Sequence, residues 1–387
     1  MMKLLDSIVS FFKNAIRVKS SVMKEETKIT EDIEEFVPNV VDENIITVEE
    51  PVDENSSNKI YEEGVETTSS EVVEVNVEED KPVAPEPCIN KETIHTDKVF
   101  LSTLQNFDKG YVIGASMRGR SHEIHNTPCQ DYHSYEMIMD GWYILAVSDG
   151  AGSAKYAARG SKANSTFSVR LVKQMLKEKH WIENGYFPTE LEWYIEARSI
   201  FEKIKLIIRT KVSELEEDCT ETDFNATLML ALITPKGVLS AHVGDGRMGY
   251  LSTDDGWKSM MTPHKGEEAN QTLFLQSGWT VPSVPAFNVG GIYVPETFVL
   301  PYVPQAVVLM SDGCERASWE CSIMDVEQGK YIDRNLPHAG FMNPLVEALN
   351  DCQDEVKMQL FVDILDHGTT ACERELDDKT MLLAIFR

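Results

Sequence analysis

Ala146-Val147-Ser148-Asp149-Gly150 is an apolar run that ends at an aspartate followed by glycine. The same arrangement recurs at 241–246 and at 308–313, and an aspartate pair at 377–378 stands directly before the apolar run 380–386. Short apolar runs bounded by Gly and Asp are typical of strands. The pattern therefore predicts several strands that each carry an aspartate at one end.

The aspartates at these strand ends predict a metal centre. A strand end holds a carboxylate in a fixed position, and a following glycine lets the backbone turn sharply. Carboxylates that converge from separate strands repel one another unless cations lie between them, and their hard oxygen atoms suit Mg²⁺ or Mn²⁺. Two such ions can lower the pKa of a shared water for attack on phosphorus. Because Asp-Gly is also a common turn dipeptide, the spacing alone leaves a purely structural role open.

The order of the predicted elements favours an α+β fold. The first strands cover 111–116 and 142–147, and two long helices follow over 155–180 and 189–217. The remaining predicted elements are strands at 227–233, 238–243, 249–251, 297–300 and 306–310, a helix within 342–365 and a final strand at 380–386. This order predicts two packed antiparallel β-sheets flanked by helices, an α-β-β-α sandwich.

The chain of 387 residues divides into three predicted regions. Residues 1–20 have apolar side chains at helical spacing with basic residues between them. They predict an amphipathic helix that either docks on a partner or membrane surface or packs on its own domain. Residues 21–98 are acidic and poor in aromatic residues, and they predict a disordered linker that is either a solvated tether or an interaction arm. Residues 99–387 are predicted to form the catalytic domain.

Charge and cysteine usage narrow the class of protein. The formal net charge is -28, and residues 24–95 alone hold 22 acidic and 5 basic side chains. Nucleic acid is an unsuitable partner for such a chain, because phosphate backbones are bound by dense Lys and Arg surfaces. The 7 cysteines are scattered without a CxxC pair, which indicates reduced thiols and predicts a cytoplasmic protein. The sequence has no apolar run long enough to span a membrane and no secretory signal.

Seven motifs occur in an order that resembles one known family. They are Gly114-Ala115-Ser116, Pro128-Cys129-Gln130-Asp131, Ser148-Asp149-Gly150-Ala151-Gly152, Val243-Gly244-Asp245-Gly246-Arg247, the stretch 268–275, Ser311-Asp312-Gly313 and Asp377-Asp378-Lys379-Thr380. Over about residues 108–387 the chain resembles the type 2C metal-dependent serine/threonine protein phosphatases, in particular a compact bacterial branch. The resemblance implies the same sandwich fold, a phosphoprotein substrate and a cognate serine/threonine kinase.

The resemblance also implies a role for each matched acidic residue. Asp149 falls on the aspartate that bridges two Mg²⁺ or Mn²⁺ ions, and Gly150 falls on the glycine whose carbonyl binds the second ion. Asp312 and Asp377 fall on direct metal ligands. Asp131 falls on the acidic residue near the second metal, where it would position a water.

Two positions of the catalytic apparatus depart from the family's pattern. Ala151 stands where many members have a histidine proposed as the general acid. Protonation of the leaving group then falls to water or to another side chain, with His122 as the nearest candidate. Asn126 stands where many members have an arginine that clamps the substrate phosphate, and Arg118 or Arg120 is the candidate to replace it.

Other residues near the motifs are given plainer roles. Arg316 occupies the usual position of a third-metal ligand, so a third ion is not expected there, although Asp223 offers part of a site. Asp245 falls on an aspartate that is usually structural. His242 and His264 are interpreted as packed or surface residues, the commoner fate of a lone histidine.

These observations predict a metal-dependent phosphatase that hydrolyses phosphoserine and phosphothreonine with a two-metal-activated water. The alternative is a pseudophosphatase, a regulatory module that binds a phosphoprotein without turnover. It is motivated by the three departures at Asn126, Ala151 and Arg316. A third possibility is a hydrolase of small phosphoesters. Fold-level resemblance by itself does not choose among the substrates.

Overall fold

The computed structural model describes residues 97–215, 218–264, 272–277, 287–289, 292–325 and 329–387. The predicted helix over residues 1–20 lies outside these ranges, and so does the predicted linker as far as residue 96. The first described strand begins at Val99, where the sequence predicts that the catalytic domain begins.

Most of the described strands belong to two antiparallel sheets. The strands are β1 Val99–Phe107, β2 Gly110–Met117, β3 Asp131–Met139, β4 Trp142–Asp149, β5 Leu228–Thr234, β6 Gly237–Val243, β7 Arg247–Ser252, β8 Gly256–Ser259, β9 Phe287–Val289, β10 Ile292–Val294, β11 Glu296–Leu300, β12 Ala306–Met310, β13 Ile323–Asp325, β14 Lys330–Ile332 and β15 Lys379–Phe386. One sheet has the order β1-β2-β15-β12-β7-β8 and the other β11-β6-β5-β4-β3, while β9–β10 and β13–β14 form small hairpins.

Seven helices are described, and the longer ones pack on the outer faces of the sheets. They are α1 Arg120–His125, α2 Ala157–Glu178, α3 Glu190–Ser213, α4 Glu315–Ser318, α5 Ala339–Asp351, α6 Asp354–His367 and α7 Thr370–Arg374. Helix α3 begins with a capping box, in which the Thr189 side chain accepts from the Glu192 backbone and the Glu192 side chain accepts from the Thr189 backbone. Helix α2 packs against β3 and β4, whereas α5 and α6 cover the six-stranded sheet.

The central strands are buried on both faces, so their residues serve two cores. In β15, Leu382 belongs to the core between the two sheets, whereas Leu383 belongs to the core beneath α5 and α6. The same alternation separates Val112 from Ile113 in β2. Because side chains alternate across a strand, an unbroken apolar run fills both layers at once. The predicted α-β-β-α sandwich is confirmed.

The structure differs from the sequence prediction in the helix at 342–365 and in the edge strands β1 and β3. The helix predicted within 342–365 is two helices, because Cys352 and Gln353 adopt extended backbone conformations between α5 and α6. Asp354 and Glu355 then occupy the first turn of α6, where negative charge is favourable. The edge strands β1 and β3 were not predicted, because their half-exposed polar residues break the apolar run that marks a buried strand. Among the described helices, none is both long and apolar enough to cross a membrane.

Candidate active site

Four aspartates from both sheets converge on one cleft. Asp149 is the last residue of β4, Asp245 lies in the turn between β6 and β7, Asp312 follows β12 and Asp377 precedes β15. All four line a cleft of about 670 Å³. The other described residues that line it are Ser121, His122, Gln130, Gly150, Ala151, Gly152, Ser153, Thr272, Phe274, Glu375 and Leu376. The structure therefore brings together Asp149, Asp312 and Asp377, which the sequence placed on separate strand ends.

The backbone around Asp149 is held by its neighbouring strand. The Asp149 N–H donates to Thr227 Oγ1 at 3.0 Å, and the Thr227 N–H donates to the Asp149 carbonyl at 2.8 Å. Thr227 is held in turn by Asn164 of α2, whose side-chain amide donates to the Thr227 carbonyl at 3.1 Å. A buried amide that bridges helix and sheet in this way restricts the motion of the strand end, and hence of the carboxylate it carries.

Glycine after the aspartate is required at two of these strand ends. A Cβ at Gly313 would lie 1.9 Å from the Asp378 carbonyl oxygen, and a Cβ at Gly150 would lie 2.5 Å from the Ala157 carbonyl oxygen. Both obstacles are backbone atoms, which cannot rotate away. Glycine therefore permits the close approach of chain segments that brings Asp312 next to the Asp377–Asp378 pair.

Burial and mutual repulsion raise the pKa values of the cleft carboxyls. Burial is the largest cause for Asp149, whose pKa lies well above its ordinary value, and the charges of Asp131 and Asp312 add to it. Burial and the neighbouring Asp245 raise the pKa of Asp312 to about 7. Burial also raises the pKa of Asp377. A bound cation would offset both causes.

None of the described Lys or Arg side chains lines the cleft, and the basic side chain that does line it is His122. A set of carboxylate oxygens and the Gly150 carbonyl is the donor set that Mg²⁺ and Mn²⁺ prefer. The chemistry of the donor set therefore suits Mg²⁺ or Mn²⁺.

Asp131 lies beside the cleft rather than in it. It pairs with Asp149 in the β3–β4 register, and it is 2% exposed. Ser311 Oγ donates to Asp131 Oδ2 at 2.6 Å. Asp131 is absent from the described lining of the cleft, and its predicted role in positioning a water stays a prediction. Its charge acts on Asp149 through their adjacency.

Asp378 is a site residue for which the sequence analysis made no prediction. Its carboxylate accepts the N–H groups of Gly119 at 2.6 Å and Gln130 at 2.5 Å. It also contacts His122 Nδ1 at 2.8 Å, and this hydrogen bond is the largest cause that raises the pKa of His122. The adjacent pair Asp377-Asp378 was the available signal. One member faces the cleft, and the other orients the histidine that lines it.

Neither arginine proposed for phosphate binding reaches the cleft. Arg118 is 4% exposed, and its guanidinium donates to the carbonyl oxygens of Thr127 at 2.6 Å and His122 at 2.8 Å. Arg120 is exposed at the start of α1 and is absent from the described cleft lining. Asn126 ends α1 with a φ of 53°, a left-handed conformation that asparagine tolerates better than arginine. This local requirement explains the residue found there.

The two residues tied to a third metal have other contacts. The Arg316 side chain is 72% exposed, and its Nε lies 3.7 Å from Glu375 Oε2. Asp223 Oδ2 accepts from the Thr220 N–H at 2.8 Å and caps a short 3-10 helix. Neither side chain lines the cleft as described.

Asp245 has a larger part in the cleft than the sequence indicated. It lines the cleft, and Thr272 Oγ1 donates to its Oδ2 at 2.5 Å. Its charge is the largest electrostatic contribution to the raised pKa of Asp312, second only to burial. The Asp-Gly turn at 245–246 therefore contributes a fourth carboxylate to the cleft.

A recognisable family region covers most of the cleft lining, whereas Glu375, Leu376 and Asp377 lie beyond its end. A protein-family model described as protein phosphatase 2C matches residues 118–365. The chain belongs to the protein phosphatase 2C family. A comparison with curated proteins yields no significant match. The family is metal-dependent, as the cleft of this member suggests.

The solved structures to which this chain is similar are distant in sequence. RsbX in complex with magnesium is 14% identical, with 74% of this chain and 100% of that chain covered and a TM-score of 0.42. Stp1 from Staphylococcus aureus, a serine/threonine phosphatase, is 14% identical over 73% of this chain and 98% of that chain, with a TM-score of 0.43. The S. agalactiae serine/threonine phosphatase is 14% identical over 71% and 99%, with a TM-score of 0.43.

Proposed function

We propose that this chain is a metal-dependent phosphatase that hydrolyses phosphoserine and phosphothreonine in proteins. The observation that carries the proposal is the convergence of Asp149, Asp312 and Asp377 in one cleft that no described Lys or Arg lines. Membership of the protein phosphatase 2C family supports the reaction class.

Asp149, Asp312 and Asp377 would hold two Mg²⁺ or Mn²⁺ ions, with Gly150 as a further ligand through its carbonyl. When bound, the ions supply Lewis-acid activation of water and neutralise charge on the phosphoryl group. Since no Lys or Arg lines the described cleft, the substrate phosphate depends on these ions for its attraction. We assign Asp131 the role of orienting Asp149 from its buried position in β3.

His122 is the residue we propose as the proton donor. It lines the cleft, and its Nδ1 is engaged by Asp378. That contact leaves Nε2 as the nitrogen that can release a proton to the departing serine or threonine oxygen. The hydrogen bond that His122 Nδ1 donates to Asp378 raises the pKa of His122, so the imidazole stays protonated to higher pH than a free histidine. A protonated donor near neutral pH is what leaving-group protonation requires.

The cellular setting follows from the same proposal. The substrate is a phosphoprotein made by a serine/threonine kinase. The cysteines of the described residues are free thiols, which favours a reducing compartment and hence the cytoplasm. Residues 1–20 remain the candidate for contact with a membrane surface.

The decisive experiment compares the wild type with Asp149→Asn on p-nitrophenyl phosphate and on a phosphothreonine peptide. We expect turnover with Mn²⁺ or Mg²⁺, none with EDTA, and a loss of about 10³-fold or more in kcat/KM for the variant. Asp255→Asn is the matched control, because Asp255-Gly256 is an Asp-Gly turn on the exposed β7–β8 hairpin.

The rival function is a phosphoprotein-binding module without turnover. It is favoured by Ala151 at the position of the usual general acid and by a described cleft without Lys or Arg. Absence of turnover on both substrates with every added metal would make it the leading function. A preference for a small phosphoester over the phosphopeptide would instead assign the chain to small-molecule hydrolysis.

A further inference from the structure

A second cluster of metal-ligating side chains lies outside the aspartate cleft. His242 is in β6, His264 follows β8, and Glu296 begins β11, where it pairs with His242 in the sheet register. One ligand atom from each residue lies within 4.8 Å of the other two. Among the described residues, this is the one group of three or more His, Cys, Asp or Glu side chains that meets this spacing.

The distances within the cluster suit a small transition-metal ion. His242 Nε2 lies 3.5 Å from Glu296 Oε2, and His264 Nε2 lies 3.8 Å from the same oxygen. Ligands at roughly 2.0–2.1 Å from a tetrahedral Zn²⁺ are roughly 3.3–3.5 Å apart. The two imidazole rings stack with their centroids 4.3 Å and their planes 21° apart, so one ring would turn about its side-chain bonds to direct its Nε2 at a shared ion.

One nitrogen of the cluster, His264 Nε2, is buried without a hydrogen-bond partner among the described residues. His264 is 4% exposed. Buried polar atoms without partners are rare in folded proteins and call for an explanation such as an ion. Burial lowers the pKa of His264 to about 4 and that of His242 well below its ordinary value. Both rings are therefore neutral near pH 7, and each has a lone pair to offer.

We propose that His242, His264 and Glu296 bind one Zn²⁺ ion at a site distinct from the aspartate cleft. Two imidazoles and one carboxylate form a donor set that suits Zn²⁺, whereas Mg²⁺ favours sites made of oxygen alone. The Glu296 side chain is 25% exposed, which gives the ion a route from solvent.

Binding at the two Nε2 atoms sets the tautomer of each ring. His242 Nε2 donates to the Thr262 carbonyl oxygen at 3.0 Å. With the ion in place the proton moves to Nδ1, and the Thr262 carbonyl faces the metal as a candidate fourth ligand. In His264 the proton likewise moves to Nδ1, where the Gly244 N–H contact of 3.4 Å is long enough to be given up at little cost.

The proposed zinc site is joined to the aspartate cleft by one turn. The His264 N–H donates to the Gly244 carbonyl at 2.9 Å, and Gly244 directly precedes Asp245, which lines the cleft. The ion would tie β6, β11 and the segment after β8 to one another. We therefore assign it a structural role that fixes the turn carrying Asp245.

The test is a Co²⁺ and Zn²⁺ titration of the full chain after removal of metals with a chelator, in saturating Mg²⁺. Four-coordinate Co²⁺ with nitrogen ligands absorbs visible light far more strongly than six-coordinate Co²⁺ among oxygens. We expect one equivalent of strongly absorbing Co²⁺, displaced by one equivalent of Zn²⁺. Glu296→Gln and His264→Gln should each weaken binding by about 100-fold.

Two controls separate this site from other metal-binding groups. His367→Ala removes an exposed histidine that lies 3.0 Å from Asp366, and it should leave the Co²⁺ band unchanged. Asp149→Asn should also leave the band unchanged, so failure of the proposed phosphatase function would not remove it.

Glu296→Gln keeps an oxygen to accept the Thr262 N–H now bound at 2.8 Å, so this variant decides the matter if His264→Gln does not fold. If no Co²⁺ band appears, or if neither variant changes the band, the two histidines are only a neutral buried pair. Either result would show that the proposed zinc site is wrong.

Discussion

Two carboxylate clusters lie next to each other in this molecule, and among the described residues only one of them surrounds an arginine. Asp245 and Asp312 face the cleft without a described Lys or Arg partner. Arg247 follows two residues after Asp245. It is 0% exposed, and its Nη2 lies 2.8 Å from Glu315 Oε2 and 2.6 Å from Asp333 Oδ2.

The two clusters differ in whether an arginine pairs with their carboxylates. Paired carboxylates stabilise the fold, whereas unpaired ones are available to a ligand. The carboxylates around Arg247 are neutralised by its guanidinium, which also donates to Asn335 Oδ1 at 2.9 Å. The cleft carboxylates instead repel one another, and their pKa values rise. Such repulsion is a cost to the fold that a bound metal ion would relieve, and carboxyl groups with raised pKa values in a cleft are typical of functional sites.

The largest expected effect is on the closed cluster. Arg247→Met should reduce the free energy of unfolding by about 3–5 kcal/mol, because it leaves Glu315 and Asp333 facing each other without a cation. Urea unfolding followed by circular dichroism measures it. Arg334→Met is the matched control: its pair with Glu320 is exposed, with Nη1 3.4 Å from Oε2, and should contribute less than about 1 kcal/mol. Equal losses in the two variants would contradict the comparison.

The next effect tests the proton donor in the open cluster. His122→Gln should lower kcat on a phosphothreonine peptide by about 100-fold, and kcat on p-nitrophenyl phosphate much less, because nitrophenolate departs without protonation. His125→Gln, an exposed histidine of the same helix, should change neither. An equal loss on both substrates would indicate that His122 serves only to hold Asp378 in place.

The smallest of the three effects concerns stability without metal. The pKa of Asp312 is raised by burial to about 7 from 3.8, so the folded protein holds this proton more tightly than the unfolded chain. Stability is therefore lost as pH rises from about 4 to about 7. In EDTA at pH 8, Asp312→Asn should be more stable than the wild type by on the order of 2 kcal/mol. At pH 4 the two should unfold alike.

Added metal should reverse that order. With saturating Mg²⁺ the wild type gains binding free energy that the Asn variant lacks. The measurement is thermal unfolding at pH 8 with EDTA and then with Mg²⁺. An Asp312→Asn protein that is less stable than the wild type even in EDTA would show that the carboxylate is a structural group, like those around Arg247.

Local pattern predicted the layers of the fold well. The buried strands β2, β4, β12 and β15 are continuous apolar runs, and both of their faces pack in cores. The break between α5 and α6 was missed because residues 342–365 keep helical spacing across it. Only the extended backbone at 352–353, set by the packing of the two helices, separates them.

Within the site, dipeptide pattern was informative but ambiguous. The chain has five Asp-Gly pairs, at 140–141, 149–150, 245–246, 255–256 and 312–313. Those at 149, 245 and 312 line the cleft, whereas Asp255-Gly256 turns the β7–β8 hairpin and Asp140-Gly141 turns the β3–β4 hairpin. A dipeptide encodes a turn, but the edge of the sheet on which the turn lies depends on strand order and direction.

The sequence by itself determined the sandwich, the strand-end aspartates and the family resemblance, because these are written in short-range periodicity and in motif order. Tertiary structure alone decided which carboxylates share a cleft and that Asp378 orients His122. It also decided that His242, His264 and Glu296 meet. These groups come from strands and loops far apart along the chain. Their distances are set by sheet register and by the packing of two sheets, which no local spacing records.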